Sequence, residues 1–353
     1  MLRKLLALTL FTVLVFVAGL PLAQPAFASG PQISIQGKNF YKDGKPWILK
    51  GIDVETFAKP QSLRAKDTWA MGTRNWWGAP ELNAIRSNLG VDTLRITISQ
   101  AGLDPQSPNY DPNYLSEIQK GVRLGQAYDF VVILDMNAQQ DETQELACMP
   151  SKSTIRAWKT IAPYFIHDRV MLELFNEPCK SWNEQNKALW AQSMQALIDN
   201  VRGLGSTNIL LLDGLWFARS TNGLLQLVHE SIPNHLALAA HPYFVKDAFV
   251  TEKQWHDQFG ASAAQYPLII TEWNATSTNG CVDSTTPEIA LLLMRYLESL
   301  HVGLIGWGLD SNYGKLVKDH TKYDPTDYST FTDCSKTPGI AGGGRLLADF
   351  PND

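Results

Sequence analysis

Apolar and polar positions along the chain fall into two recurring textures. A short alternating stretch, Ile33 to Trp47 with an Asp43-Gly44 turn, predicts a hairpin that closes one end of the domain. Eight compact apolar runs follow: Trp47 to Asp53, Thr93 to Ile98, Phe130 to Met136, Val170 to Asn176, Ile209 to Asp213, His235 to His241, Leu268 to Glu272 and Gly303 to Leu309. Between most of them lie stretches of helical period. Ser181 to Val201 is one; Pro287 to Leu300 is another, opened by Thr286 as N-cap with Pro287 in its first turn.

Runs that are apolar on both faces and alternate with amphipathic helices read as parallel strands, since each crossover must carry the chain back across the sheet. Eight such units predict an α/β fold, a single (β/α)8 barrel with a short N-terminal β-hairpin. A doubly wound open sheet is the competing architecture. It needs a Gly-rich phosphate turn after its first strand, which Gly51-Ile52-Asp53-Val54-Glu55 does not supply. No linker, low-complexity tract or internal repeat marks off a second module.

The N-terminus changes where this domain is expected to work. Arg3 and Lys4, the uncharged run Leu5 to Leu20, and Ala26-Phe27-Ala28 make residues 1–28 read as a secretory signal peptide, leaving 29–353 as one domain. An uncleaved anchor is the alternative, though the run is short for a span of about 20 residues. The mature protein is therefore expected to be extracellular, monomeric and free of the membrane. In that compartment Cys148, Cys179, Cys281 and Cys334 should pair, and three pairings are open. Loops after adjacent strands favour Cys148 with Cys179 and Cys281 with Cys334. No C-x-x-C or H-E-x-x-H spacing occurs, so no metal or other cofactor is expected. The net charge of -5 provides no basic field, so nucleic acid is not an expected partner. Eleven Trp and 11 Tyr are more than packing alone usually needs, and aromatic faces suit sugars.

In a barrel of this type the chemistry sits where strands finish. Those places hold Arg95 in the second run, Asn137 after the third, Asn176-Glu177-Pro178 after the fourth, His241-Pro242-Tyr243 after the sixth, Glu272-Trp273 after the seventh and Trp307 in the eighth. Breaking an acetal requires a proton on the leaving oxygen and an anion facing the oxocarbenium-like carbon, so two carboxyls are needed. Glu177 and Glu272 qualify by position. Alternation puts Glu173 on the face of Glu177 but deeper, as a buried structural acid; Asp135 and Asp213 fit a catalytic role less well. Each supporting residue also has a plainer reading: Arg95 could serve only to neutralise Glu173, His241 could be structural, and Trp307 could be core. Trp69, Trp76, Trp77, Trp182 and Trp216 are candidate sugar platforms, some of which will be packing. The sequon Asn274-Ala275-Thr276 lies beside Glu272, where a glycan would crowd the cleft, and is read as unused.

Leu172-Glu173-Leu174-Phe175-Asn176-Glu177-Pro178, with His241-Pro242-Tyr243 and Thr271-Glu272-Trp273 downstream, resembles glycoside hydrolase family 5, the cellulase-like members of clan A of retaining glycosidases. The resemblance extends from the Gly51 run through Leu89 to Arg95 and on to Gly306-Trp307-Gly308. It implies that Glu177 is the acid/base and Glu272 the nucleophile, with Asn176 on the sugar 2-hydroxyl. Arg95 and Tyr243 would orient the nucleophile, His241 would line the site, and Trp307 would floor the cleaved sugar. One departure is that Asp135-Met136-Asn137 stands where many members carry Asp-x-His, which bears on subsite preference. The expected activity is a secreted, retaining endo-β-1,4-glucanase acting on a polysaccharide or oligosaccharide. An endo-β-mannanase or an exo-acting β-glucosidase shares the motifs. A non-catalytic carbohydrate-binding barrel is the reading from another class, and the presence of both carboxylates argues against it. An acyl hydrolase would need a G-x-S-x-G turn that the chain lacks.

Overall fold

The computed structural model describes residues 31–64, 78–137, 148–166, 169–245, 248–275, 286–309, 316–319, 322–327 and 342–352. The signal segment, Trp69, Trp76, Trp77, Cys281 and Cys334 lie outside these residues. Three short antiparallel strands come first, β1 (Ile33–Gln36), β2 (Asn39–Lys42) and β3 (Lys45–Trp47). Eight parallel strands then form a closed barrel: β4 (Lys50–Val54), β5 (Thr93–Ser99), β6 (Val131–Asn137), β7 (Val170–Glu173), β8 (Leu210–Asp213), β9 (Leu236–Ala240), β10 (Leu268–Trp273) and β11 (Gly303–Gly306). Strand β11 pairs back onto β4, so the barrel has no free edge.

Alternation divides each strand between two cores. In β6, Val132, Leu134 and Met136 face outward and pack with the helices, as do Trp158, Trp190 and Trp255 on the helical side. Val131 and Ile133 face inward, joining Met171, Ile209, Leu211, Ala237, Ala239, Ile269 and Ile305. Ile35, Phe40 and Trp47 of the N-terminal sheet, with Leu49, complete that inner cluster. The small sheet thus covers the N-terminal end of the barrel.

The expected hairpin is a three-stranded sheet: Trp47 pairs with Phe40 in β3, and the first barrel strand begins at Lys50. The fourth apolar run also outlasts its strand. Regular pairing ends at Glu173, but Leu174 and Phe175 still pack in the outer core, so hydrophobicity alone carries the pattern on to Asn176. The helix expected from Ser181 starts at Glu184 instead, because the Asn183 side chain accepts from the Asn186 amide and caps it. Among the described residues no helix is long and apolar enough to cross a membrane.

Candidate active site

Arg95 is the hub of the mouth. Its side chain is fully buried and extends from the middle of β5. Nε donates to Glu173 Oε2 at 2.7 Å, and Nη1 donates to Glu272 Oε1 at 2.7 Å and to Asp53 Oδ2 at 3.2 Å. Nη2 donates to Asn176 Oδ1 at 2.8 Å and lies 3.1 Å from Asp135 Oδ2. The planar guanidinium can hold this many acceptors only because its donors fan out in a rigid fork. Arg95 therefore both neutralises Glu173 and grips Glu272, so the two readings of it hold together.

Glu272 reaches the site because β10 is irregular. Ile270 pairs with Leu304 but Trp273 pairs with Gly306, so one extra residue is inserted between them. Strict alternation would send Glu272 outward once Thr271 faces in; the bulge re-aims it. The second oxygen of Glu272 accepts from the Tyr243 hydroxyl at 3.2 Å. A similar change of phase follows β7. Phe175 joins the outer core, while Asn176 reaches Arg95 and Glu177, at φ +51°, reaches His241. Asn176 and Glu177 thus both turn into the mouth, where alternation would have separated them.

His241 links the two sides. Nδ1 is 2.9 Å from Glu177 Oε1 and Nε2 is 2.9 Å from Thr271 Oγ1, whose hydroxyl donates to Glu173 Oε1 at 2.8 Å. One carboxylate oxygen of Glu177, one of Glu272 and a His241 nitrogen all lie within 4.8 Å of one another. Glu173, Asp213 and His241 form a second such trio. Either trio has the right atom types for a cation. Arg95, Tyr243 and Thr271 already occupy these oxygens, however, and both ring nitrogens of His241 are bonded.

Burial governs the ionisation of this cluster. It works against the charge of Arg95, but Asp135, Glu173, Glu272 and Asp53 more than offset it and keep the guanidinium protonated. Burial pushes Asp135 and Asp213 well above the ordinary aspartate range. Glu173, equally buried, ends below the ordinary glutamate value because Arg95 binds it directly. Burial raises Glu272, with His241 and Arg95 pulling the other way. Burial and the neighbouring Glu272 charge hold the Tyr243 hydroxyl in its protonated, donating form.

The remaining expected residues sit around this core. Asn137 is buried at the end of β6, opposite Ser99 of β5. Trp307 is half-buried just after β11; its amide donates to the Trp273 carbonyl at 2.7 Å and its carbonyl accepts from Asn274 Nδ2. Asn274 Oδ1 accepts from the Gly343 amide, so the sequon asparagine is buried and engaged on both atoms. Trp216 is 39% exposed, whereas Trp182 is partly buried beneath the Lys187 ammonium. The Cys148–Cys179 disulfide forms as expected and ties the loops after β6 and β7 together two residues past Glu177.

Two further residues bear on the site, Asp213, which the sequence reading set aside, and Arg219, which it missed. Asp213 accepts the Glu177 amide at 2.8 Å on Oδ2. Arg219 stacks over Phe249 at 5.2 Å, interacts with the charge of Glu177, and has a buried Nε without a hydrogen-bond partner among the described residues. Asp213 ends β8 and Arg219 lies in the turn that follows it. There the Trp216 and Phe217 amides donate to the Lys180 and Pro178 carbonyls, fastening the turn to the Glu177 loop. Asp213 was visible as an acid ending an apolar run; nothing local pointed to Arg219.

Known proteins share this fold. The chain matches the cellulase family model, glycosyl hydrolase family 5, over residues 52–313, well over half its length. Among solved structures it is similar to β-glucanase SdGluc5_26A from Saccharophagus degradans, at 23% identity and TM-score 0.67, covering 86% of this chain and 92% of that one. The catalytic domain of Thermobifida fusca endoglucanase Cel5A, solved with cellotetraose, is 12% identical with TM-score 0.62, over 90% and 96% of the two chains. A mannanase catalytic domain from Streptomyces sp. SirexAA-E is 17% identical with TM-score 0.59, over 89% and 94%. No curated protein sequence matches. The chain belongs to glycosyl hydrolase family 5 and is a retaining glycoside hydrolase built on a (β/α)8 barrel.

Proposed function

We propose that this protein is an exported, monomeric endo-β-1,4-glucanase in which Glu272 is the nucleophile and Glu177 the acid/base. The observation that carries the roles is the pairing of the two glutamates. One oxygen of each lies within 4.8 Å of one of the other, which favours the carboxyl gap of about 5 to 5.5 Å that direct attack uses over the roughly 6.5 to 9.5 Å that admits a water. Their partners also differ in kind. Glu272 receives donors from Arg95 and Tyr243, which favour an anion.

Glu177 faces His241 Nδ1, and the hydrogen-bond chain beyond the ring places a proton on its other nitrogen. Thr271 has one hydroxyl proton and gives it to Glu173, so it accepts from His241 Nε2–H. When the ring is neutral, Nδ1 accepts and leaves Glu177 to donate, as the carboxylic acid that protonates the leaving oxygen. Glu272 attacks the anomeric carbon, and the bond to the leaving oxygen breaks as Glu177 gives up its proton. Once Glu272 is esterified its charge is gone, and Glu177 can take a proton from water to release the sugar. Asn176 Oδ1 is committed to Arg95, which leaves its amide NH2 for the sugar 2-hydroxyl. Trp307 floors the cleaved sugar, and Trp216, exposed on the Glu177 side, is a platform for the leaving one.

Likeness to glucanases supports β-1,4-glucan as substrate, and the mannanase among the similar structures favours β-1,4-mannan as the second reading. One panel tests this: activity on carboxymethylcellulose, mannan, xyloglucan and aryl β-glucosides, with product lengths resolved and fresh product read by proton NMR. Mid-chain cleavage of the glucan with a first-formed β-anomer is expected. Release of single sugars only would overturn endo action, and a first-formed α-anomer would overturn the role of Glu272.

A further inference from the structure

Glu177 occupies left-handed backbone, φ +51°. For a residue with a β-carbon that region costs about 1 to 3 kcal/mol and persists only where the surroundings enforce it. The chain here has already left the sheet: regular pairing in β7 stops at Glu173, and the Leu174 and Asn176 amides reach the Leu211 and Met136 carbonyls. The Glu177 amide has no strand carbonyl to meet. It donates instead to a side chain of the next strand, Asp213 Oδ2, at 2.8 Å.

Asp213 is well placed to hold it. It is fully buried as the last residue of β8, and its backbone carbonyl accepts from Trp190 Nε1 at 2.8 Å. The next residue, Gly214, has no room for a β-carbon because the Ser220 carbonyl crosses there, so the turn beyond is closely packed. Burial pushes the carboxyl of Asp213 well above the ordinary aspartate range, and one of its oxygens lies within 4.8 Å of an oxygen of Glu173. Glu173 is gripped by Arg95, which also grips Glu272. Asp213 thus stands between the Glu177 amide, which it holds, and the network in which Arg95 joins Glu173 to Glu272.

We propose that Asp213 is a positioning residue for the acid/base: it sets the Glu177 backbone and thereby the distance and angle between the Glu177 and Glu272 carboxyls. The inference rests on the reading of Glu177 as acid/base. What the contact requires of Asp213 is an oxygen that accepts from the Glu177 amide. Asparagine keeps that acceptor in Oδ1, whereas leucine supplies volume alone.

The test measures Asp213→Leu, Asp213→Asn and Glu177→Gln on two substrates, a β-1,4-gluco-oligosaccharide and a dinitrophenyl β-cellobioside whose leaving group needs no proton. Asp213→Leu is expected to lower kcat on the oligosaccharide by about 10²-fold, the effect of misplacing a catalytic group by roughly 1 Å, with KM little changed. Its loss on the dinitrophenyl substrate should be far smaller, and Asp213→Asn should stay within a few-fold of the parent on both. Equal loss of Asp213→Leu on the two substrates overturns the proposal, as does Asp213→Asn falling as far as Asp213→Leu. Glu177→Gln separates the two layers of inference. If it shows the leaving-group selectivity while Asp213→Leu does not, only the positioning role fails; if it lacks that selectivity, the reading of Glu177 fails and this one with it. Should Asp213→Leu not fold, as judged by circular dichroism, Asp213→Asn decides alone, and a loss near 10²-fold on the oligosaccharide overturns the role.

Discussion

The two ends of the barrel interior are built on the same strand faces and have opposite chemistry. Near the N-terminal end the inward positions are Ile133, Met171, Leu211, Ala239 and Ile269, sealed by Phe40 and Trp47 of the small sheet. Two residues further along the same strands, those positions become Asp135, Glu173, Asp213, His241 and Thr271. The change from packing to chemistry takes one step of the pleat. The apolar layer also sustains the polar one: the charges above it are buried and interact in a low-dielectric setting. A single guanidinium can then organise Asp53, Asp135, Glu173 and Glu272.

The sharpest test of this division is Glu272→Ala. Loss of about 10⁴-fold or more in kcat is expected on polysaccharide, with the melting temperature unchanged or higher, because removing a buried carboxylate relieves repulsion in a crowded site. A large drop in stability would show that the mouth contributes to the fold as well as to the reaction. At the opposite end, Ile133→Ala should cost about 2 to 5 kcal/mol in denaturant unfolding, through lost burial and the cavity left behind, while kcat per folded molecule holds. Activity that fell without a stability change would break the contrast. The smallest effect concerns pH. Glu272 must be ionised to attack, and burial raises it, so the acid limb of kcat/KM should lie above the ordinary glutamate range, with activity lost as pH falls through it. Removing the Tyr243 donor in Tyr243→Phe should move that limb alkaline by about one pH unit or less. A limb that moved acid would mean Tyr243 does not stabilise the Glu272 anion.

Much of the site was legible before folding was considered. Apolar runs at regular spacing identify barrel strands, and an acid directly after such a run is conspicuous, so Glu177 and Glu272 stand out from the other carboxylates. His241, Tyr243, Asn176 and Arg95 follow from the same positional logic, and the structure brings all four onto one hydrogen-bonded path. Of the tryptophans named as platforms, Trp216 is exposed and Trp182 is partly covered. Nothing in their local sequence separates those two cases.

Strand number, parallel pairing and the residues at the strand ends are written in periodicity, which depends on neighbours within a few positions and so survives without coordinates. The inward turn of Glu272 depends on an extra residue in β10 set against the spacing of β11, and the phase change at Asn176 and Glu177 depends on where β7 stops pairing. Whether Asp213 is idle or holds the Glu177 amide depends on β7 and β8 lying side by side. These are relations between segments distant in sequence, and no one-dimensional pattern contains them: the bulge, the broken alternation and the bond from the Glu177 amide to Asp213 exist only once the strands have neighbours.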